Sequence, residues 1–196
     1  HVLPDRWLTL HVMNAGGKAL EWFQGVFCSE MTPAEFYDGF LPRALDTWVN
    51  PVAQPPSAGK PAETPTAGKK TTPEGGRATG APASPDPTVT YTPYLMGSRY
   101  SLEPLTAELR GLTQTTTREE ILAALVRGLC QYQSHHLREM ERHVPLERRI
   151  PLTGGAVSPA LIRAKQKWMC DADYVHAEDS SVRGAALLAR LFLRST

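Results

Sequence analysis

Gly154 and Gly155 stand between a short apolar run, Ile150 to Thr153, and the Ser158-Pro159 pair that opens a helical pattern. Residues of these types in this order have the layout of a nucleotide site. Two positions without side chains let the backbone approach a flat ligand closely, and a helix starting just beyond them presents unpaired N–H groups and the positive end of its dipole. An ordinary tight turn has the same spelling. A second short strand, Tyr174 to His176, follows, then a polar loop and the helical run 'SVRGAALLARLFL'. There Gly184, Ala185, Ala186 and Ala189 form a narrow face, suited to close packing on a sheet beneath a ligand cleft.

The elements that position these residues can be read from periodicity. Trp7 to Met13 alternates large and polar groups as a strand does, and Asn14 to Gly17 turns the chain into an amphipathic helix from about Lys18 to Cys28. Thr32-Pro33-Ala34-Glu35 opens a second helix, with a capping threonine, proline at the first position and a glutamate placed to reach back; Pro42 is expected to break it. Tyr91 to Pro104 reads as a buried irregular or extended segment, since Pro93, Gly97 and Pro104 exclude a long helix. Thr117 and Glu120 form another capping box ahead of the longest helix, in which Ile121, Leu122, Leu125, Val126, Leu129, Tyr132, Leu137 and Met140 keep helical spacing. Strand, helix, strand and helix finish the chain, an alternation that favours an α/β domain with a sheet covered by helices.

Between Asn50 and Thr90 the composition changes: nine prolines, and no Leu, Ile, Phe, Trp, Tyr or Met. Such a segment cannot bury a core, so residues 50–90 are expected to be a disordered proline-rich insert within a single domain spanning 1–196. Docking of a proline-binding module on it is the functional alternative.

Four segments carry a family resemblance: 'NAGGKALEWF' (14–23), 'YLMGSRYSLEP' followed by 'RGLTQTTTREEILAALVRGL' (94–129), 'PLTGGAVSP' (151–159) and 'EDSSVRGAALLA' (178–189). In sequence and order they resemble the carboxy-terminal domain of the FGGY carbohydrate kinases, the family that includes glycerol kinase, xylulokinase, ribulokinase and rhamnulokinase. The resemblance implies an actin-like ATPase (ribonuclease H-like) domain, α/β, with a mixed sheet covered by helices. It also implies ATP with Mg2+ as phosphoryl donor and a sugar or polyol bound through an amino-terminal lobe that this sequence does not contain. By the same resemblance Gly154, Gly155 and Ser158 would contact adenine and ribose, and Gly17 and Glu21 would line the nucleotide cleft. Ala156 stands where the family usually has a third glycine. The catalytic aspartate and first phosphate loop would lie upstream, so no residue here is assigned to catalysis and the chain alone is expected to be inactive. A truncated, non-catalytic nucleotide-binding or regulatory protein is the alternative.

Other groupings have plainer readings. Adjacent His135 and His136 point to different faces of a helix, and His143 lies two turns beyond His136, so a metal site is not expected. Arg99 reads as one half of a buried ion pair. At 196 residues the chain is long enough for a core that needs no disulfide or metal, and its net charge of +1 gives no basic field for nucleic acid. Cys28, Cys130 and Cys170 are odd in number and widely spaced, which reads as reduced thiols in a cytoplasmic protein. No apolar run reaches membrane-spanning length, leaving small molecules, and association into a homo-oligomer, as the expected partners.

Overall fold

The structure, a computed structural model, describes residues 10–50, 86–154 and 157–193. The expected insert, apart from its ends, and Gly155 lie outside the described residues, as do the first residues of the expected strand at 7–13. Of that strand, Leu10 to Met13 are described and are not in a strand. They run instead along the helices, and Val12 N–H donates to Tyr100 Oη at 2.9 Å.

Helix α1 (Gly16–Phe27) follows and buries Ala19, Leu20 and Phe23, one stripe of a 3.6-residue repeat. The Thr32 box then forms in both directions: Glu35 N–H donates to Thr32 Oγ1 at 3.3 Å, and Glu35 Oε2 accepts from Thr32 N–H at 2.8 Å. Pro42 does not break the helix that starts there. A π-helical segment (Glu35–Phe40) precedes it and passes directly into α2 (Leu41–Val49), with Leu41 N–H bonded to Phe36 O. In a regular α-turn the Pro42 ring would press on the carbonyl four residues back; a wider turn just before it relieves that contact.

Strands β1 (Thr90–Thr92) and β2 (Glu108–Arg110) pair antiparallel. Between them Tyr94 and Leu95 are half-buried, but Met96 is 60% exposed and Tyr100 57%, so this segment is buried only at its start. The turns at Gly97 and beyond carry its apolar groups outward. Arg99 is likewise exposed, and its Nε donates to Asn14 Oδ1 at 2.6 Å rather than meeting a buried carboxylate.

Helix α3 (Arg118–Glu141) is the axis of the molecule. Leu122 to Val126 are buried consecutively, which places that stretch inside the domain with neighbours all round. Gly128 is required there, because a Cβ would meet Tyr91 O of β1 at 2.3 Å. Thr117 caps the helix through Glu120 N–H, but Glu120 does not return the bond: its Oε1 accepts from Thr88 N–H at 3.0 Å and Thr88 Oγ1 at 2.6 Å. The second box is thus half formed, and its glutamate ties β1's leading residues to α3.

Strands β3 (Arg149–Leu152) and β4 (Asp173–His176) are parallel, joined by α4 (Pro159–Trp168), with Arg149 opposite Asp173 and Leu152 opposite His176. Helix α4 packs on α2 and α3 and buries Ala160, Leu161, Ala164 and Trp168. Ion pairing at its rim links Arg163 to Asp46 of α2 at 2.5 Å. Buried Ser134 of α3 donates to Met169 O, at the end of α4, at 2.6 Å. Among the described residues the sheet content is therefore these two separate pairs, one antiparallel and one parallel.

Helix α5 (Ser180–Leu193) buries none of its residues. Its small face at Gly184, Ala185, Ala186 and Ala189 does not sit on a sheet: two short strands offer too little surface, and Val182 is 70% exposed and Phe192 62%.

Candidate functional site

Two cavities involve residues singled out in the sequence. The first lies at the carboxyl ends of β3 and β4, the edge at which parallel sheets bind ligands. It is lined by Thr153 and Gly154 after β3 and by residues 176–182 after β4, with a volume of about 460 Å³. Gly154 has φ +88°, a left-handed conformation that glycine adopts without strain, and a Cβ there would meet nothing within 4 Å. The opposite wall holds a second left-handed residue, Asp179 at φ +49°, and Ser180 Oγ bonds Thr153 Oγ1 across the mouth at 2.9 Å. Glu178 and Asp179 make this cavity acidic.

The second cavity is an apolar slot of about 150 Å³ between three helices. Gly16, Gly17 and Leu20 of α1 form one wall, Val126, Leu129 and Gln133 of α3 the floor, and Leu161 and Lys165 of α4 the other wall. A Cβ at Gly17 would meet nothing within 4 Å, so packing does not demand a glycine at that position. Cys130 also lines the slot; burial first of all pushes its thiol up to about 11, against a smaller opposite pull from Lys165, so at neutral pH it is an uncharged wall and not a nucleophile. The polar side chains of the lining meet each other, Lys165 Nζ donating to Gln133 Oε1 at 3.2 Å.

Gln133 also borders a smaller group on the far side of α3. There the His11 ring stacks on His136 with centroids 3.5 Å apart and planes 15° from parallel, and Met140 and Met169 close a cavity of about 170 Å³. His11 Nε2 is buried without a hydrogen-bond partner. Burial, then the neighbouring His136 and His135, hold the His11 pKa below the usual histidine value; burial and His135 lower that of His136, with Glu139 opposing.

The structure distributes the five expected contact residues. Gly17 lines the slot and Gly154 the strand-end cavity. Ser158 lines neither of these; its Oγ accepts from Leu161 N–H at 3.3 Å and caps α4, which sets Leu161 against the slot. Glu21 is exposed and pairs with Lys18 one turn away at 2.5 Å. Gly155 is outside the described residues. Sequence reasoning missed Gln133 and Lys165, whose spelling is that of solvated helix positions; only the crossing of α3 and α4 turns both toward the slot.

The model of the FGGY family of carbohydrate kinases, C-terminal domain, matches residues 1–191 of this chain. No curated protein matches it. Among solved structures, xylulose kinase from Rhodospirillum rubrum is similar with a TM-score of 0.60 and 16% identity, over 91% of this chain and 29% of that one. At such identity the likeness is one of fold, the α/β actin-like ATPase fold, and this chain spans less than a third of that kinase's length. Among the described residues no helix is long and apolar enough to cross a membrane. A family match over nearly the whole length, on a fold shared with a sugar kinase, shows that the chain belongs to the FGGY family of carbohydrate kinases, in its C-terminal domain.

Proposed function

We propose that this domain is the nucleotide-binding lobe of an ATP-dependent carbohydrate kinase, which phosphorylates a hydroxyl of a sugar or polyol. The observation that carries the reading is the three-helix slot at Gly17. Its lining is apolar apart from Gln133 and Lys165, and it is smaller than the roughly 300–1,000 Å³ typical of pockets that enclose a drug-sized ligand, so it suits one heterocyclic base rather than a whole nucleotide. Gly17 keeps a wall bare where the fold itself has no need of it. With the base in the slot, ribose and phosphates extend outside it, and Gly154 and Ser158 are the expected contacts for ribose.

Phosphoryl transfer is mainly a matter of positioning and charge neutralisation. Among the described residues no group of three or more His, Cys, Asp or Glu side chains is placed to hold a metal. Mg2+ would therefore arrive on the nucleotide phosphates, its usual mode. The sugar that carries the acceptor hydroxyl would be bound, and the base that deprotonates it supplied, by an amino-terminal lobe, and this chain alone would bind nucleotide without turning over sugar.

The test is titration of the isotope-labelled chain with ATP and adenosine, followed by NMR. Both should perturb resonances of Gly17, Val126 and Leu161, and Gly17→Leu, which fills the slot, should weaken binding at least tenfold with the circular dichroism unchanged. Gly17 is the cleaner probe than Gly154, where any other residue would also strain a left-handed backbone. Unaltered binding by a folded Gly17→Leu variant would move the base elsewhere. Turnover of xylulose or glycerol by the pure chain would show that it carries its own catalytic base.

A further inference from the structure

We propose that Gln133 and Lys165 read the edge of the base, and that the slot therefore accepts a 6-oxopurine at least as tightly as adenine. The inference rests on the reading that the slot holds the base of a nucleotide. An ammonium group can only donate, so the 3.2 Å contact fixes the Gln133 amide with its oxygen toward Lys165. The Gln133 NH2 is left for the ligand, beside the remaining N–H groups of Lys165. Both groups are half-buried, and the other side chains that line the slot are apolar except for the neutral Cys130 thiol. What the slot offers a base is thus a pair of donors set in an apolar surround.

Purines differ at this kind of edge. A 6-oxopurine presents two adjacent acceptors, O6 and N7, whereas adenine presents the N7 acceptor next to the N6 amino donor. A glutamine reads adenine by giving its NH2 to N7 and taking N6–H on its oxygen. Here that oxygen already holds the Lys165 ammonium, so an incoming N6–H would be placed beside a positive charge. Two donors facing two acceptors meet no such conflict.

Inosine and adenosine differ in base substituents only at this edge and at N1, so they are the probes. Affinity of the wild-type chain for each is measured by NMR titration, alongside Lys165→Met, which keeps the apolar stem and frees the Gln133 oxygen, and Gln133→Leu. Inosine should bind wild type at least as tightly as adenosine, Lys165→Met should shift the ratio of affinities about tenfold toward adenosine, and Gln133→Leu should weaken both nucleosides while Lys165 keeps the ratio on the side of inosine. Adenosine favoured tenfold or more by wild type, or a ratio unchanged in a folded Lys165→Met variant, would overturn the assignment while leaving the base in the slot. Failure of both nucleosides to perturb Gly17 and Leu161 would instead remove the slot reading and this one with it.

Discussion

In α1, Ala19, Leu20 and Phe23 are buried; in α5, Val182, Leu187, Leu191, Phe192 and Leu193 face solvent. Both helices carry apolar residues at helical spacing, so the difference does not lie in local pattern. It lies in the partner. Helix α1 meets α3 and the π-helical segment ahead of α2, and the aromatic rings of Phe23 and Phe36 pack with centroids 6.1 Å apart. Among the described residues α5 packs on no other helix or strand to a comparable extent, and its start is tied to the end of β3 by the bond from Ser180 Oγ to Thr153 Oγ1. Periodicity decides that a segment is helical, whereas burial depends on a surface that another part of the chain must bring.

The sharpest test compares one leucine from each region. Leu125→Ala, at a fully buried position in α3, should cost about 2–5 kcal/mol in urea denaturation followed by circular dichroism, the range for a cavity in a packed core. Leu187→Ala in α5 should cost no more than about 0.5 kcal/mol, as for other exposed positions. Comparable losses at both sites would mean that α5 is covered in solution and would erase the contrast.

A smaller effect is expected where the chain just before β1 is tied to α3 and α4. Asp86, just before β1, accepts from the Trp168 indole N–H of α4 at 2.8 Å and pairs with Arg127 of α3 at 3.2 Å and Lys167 at 3.3 Å. Burial raises its carboxyl pKa, but the Trp168 bond together with Arg127 and Lys167 outweighs that, and the net shift is downward. The stability it contributes is therefore present above the ordinary aspartate value and lost as pH falls through its lowered one. Because the group is partly exposed, Asp86→Asn should cost only about 0.5–1 kcal/mol at pH 7 and should flatten the acid limb of the stability curve. An unchanged acid limb would show that this tie contributes nothing to joining α3 and α4.

The smallest effect belongs to the strap at Leu10 to Met13, which is held to α3 by the His11–His136 stack and to the β1–β2 connection by the Val12–Tyr100 bond. Both imidazole pKa values are lowered, so docking is fully favourable above the ordinary histidine value of about 6.5 and weakens as pH falls through it toward the lowered values. The charges facing the pair are His135 and Glu139 of α3, with the rings of Tyr100 and Tyr132 against it. Amide exchange at Val12 should accelerate between pH 7 and pH 5 more than exchange at the middle of α3. His136→Gln should remove part of that dependence, and equal acceleration at both places would assign it to general acid loosening instead.

How much of the site could be read beforehand follows from which interactions are local. The Thr32 to Glu35 box and the Thr117 and Ser158 caps each involve residues a few positions apart, and each forms as its spelling implies. The four family segments, too, lie along the chain in plain view. Pro42 was misleading because the remedy for its ring, a wider helical turn, is paid in the preceding six residues and has no spelling of its own.

Local chemistry of the amino-acid order thus determined the helices, their starts, the two short parallel strands and the membership of the chain in its family. Tertiary structure alone decided which groups share a cavity. Gly17, Gln133 and Lys165 are more than 30 positions apart in sequence from one helix to the next, and only the crossing of α1, α3 and α4 closes them round one slot. It likewise separated Gly17 from Gly154, turned Glu21 to solvent and set His11 on His136. Packing of whole helices fixes those distances, and that packing depends on contacts between residues remote in the chain.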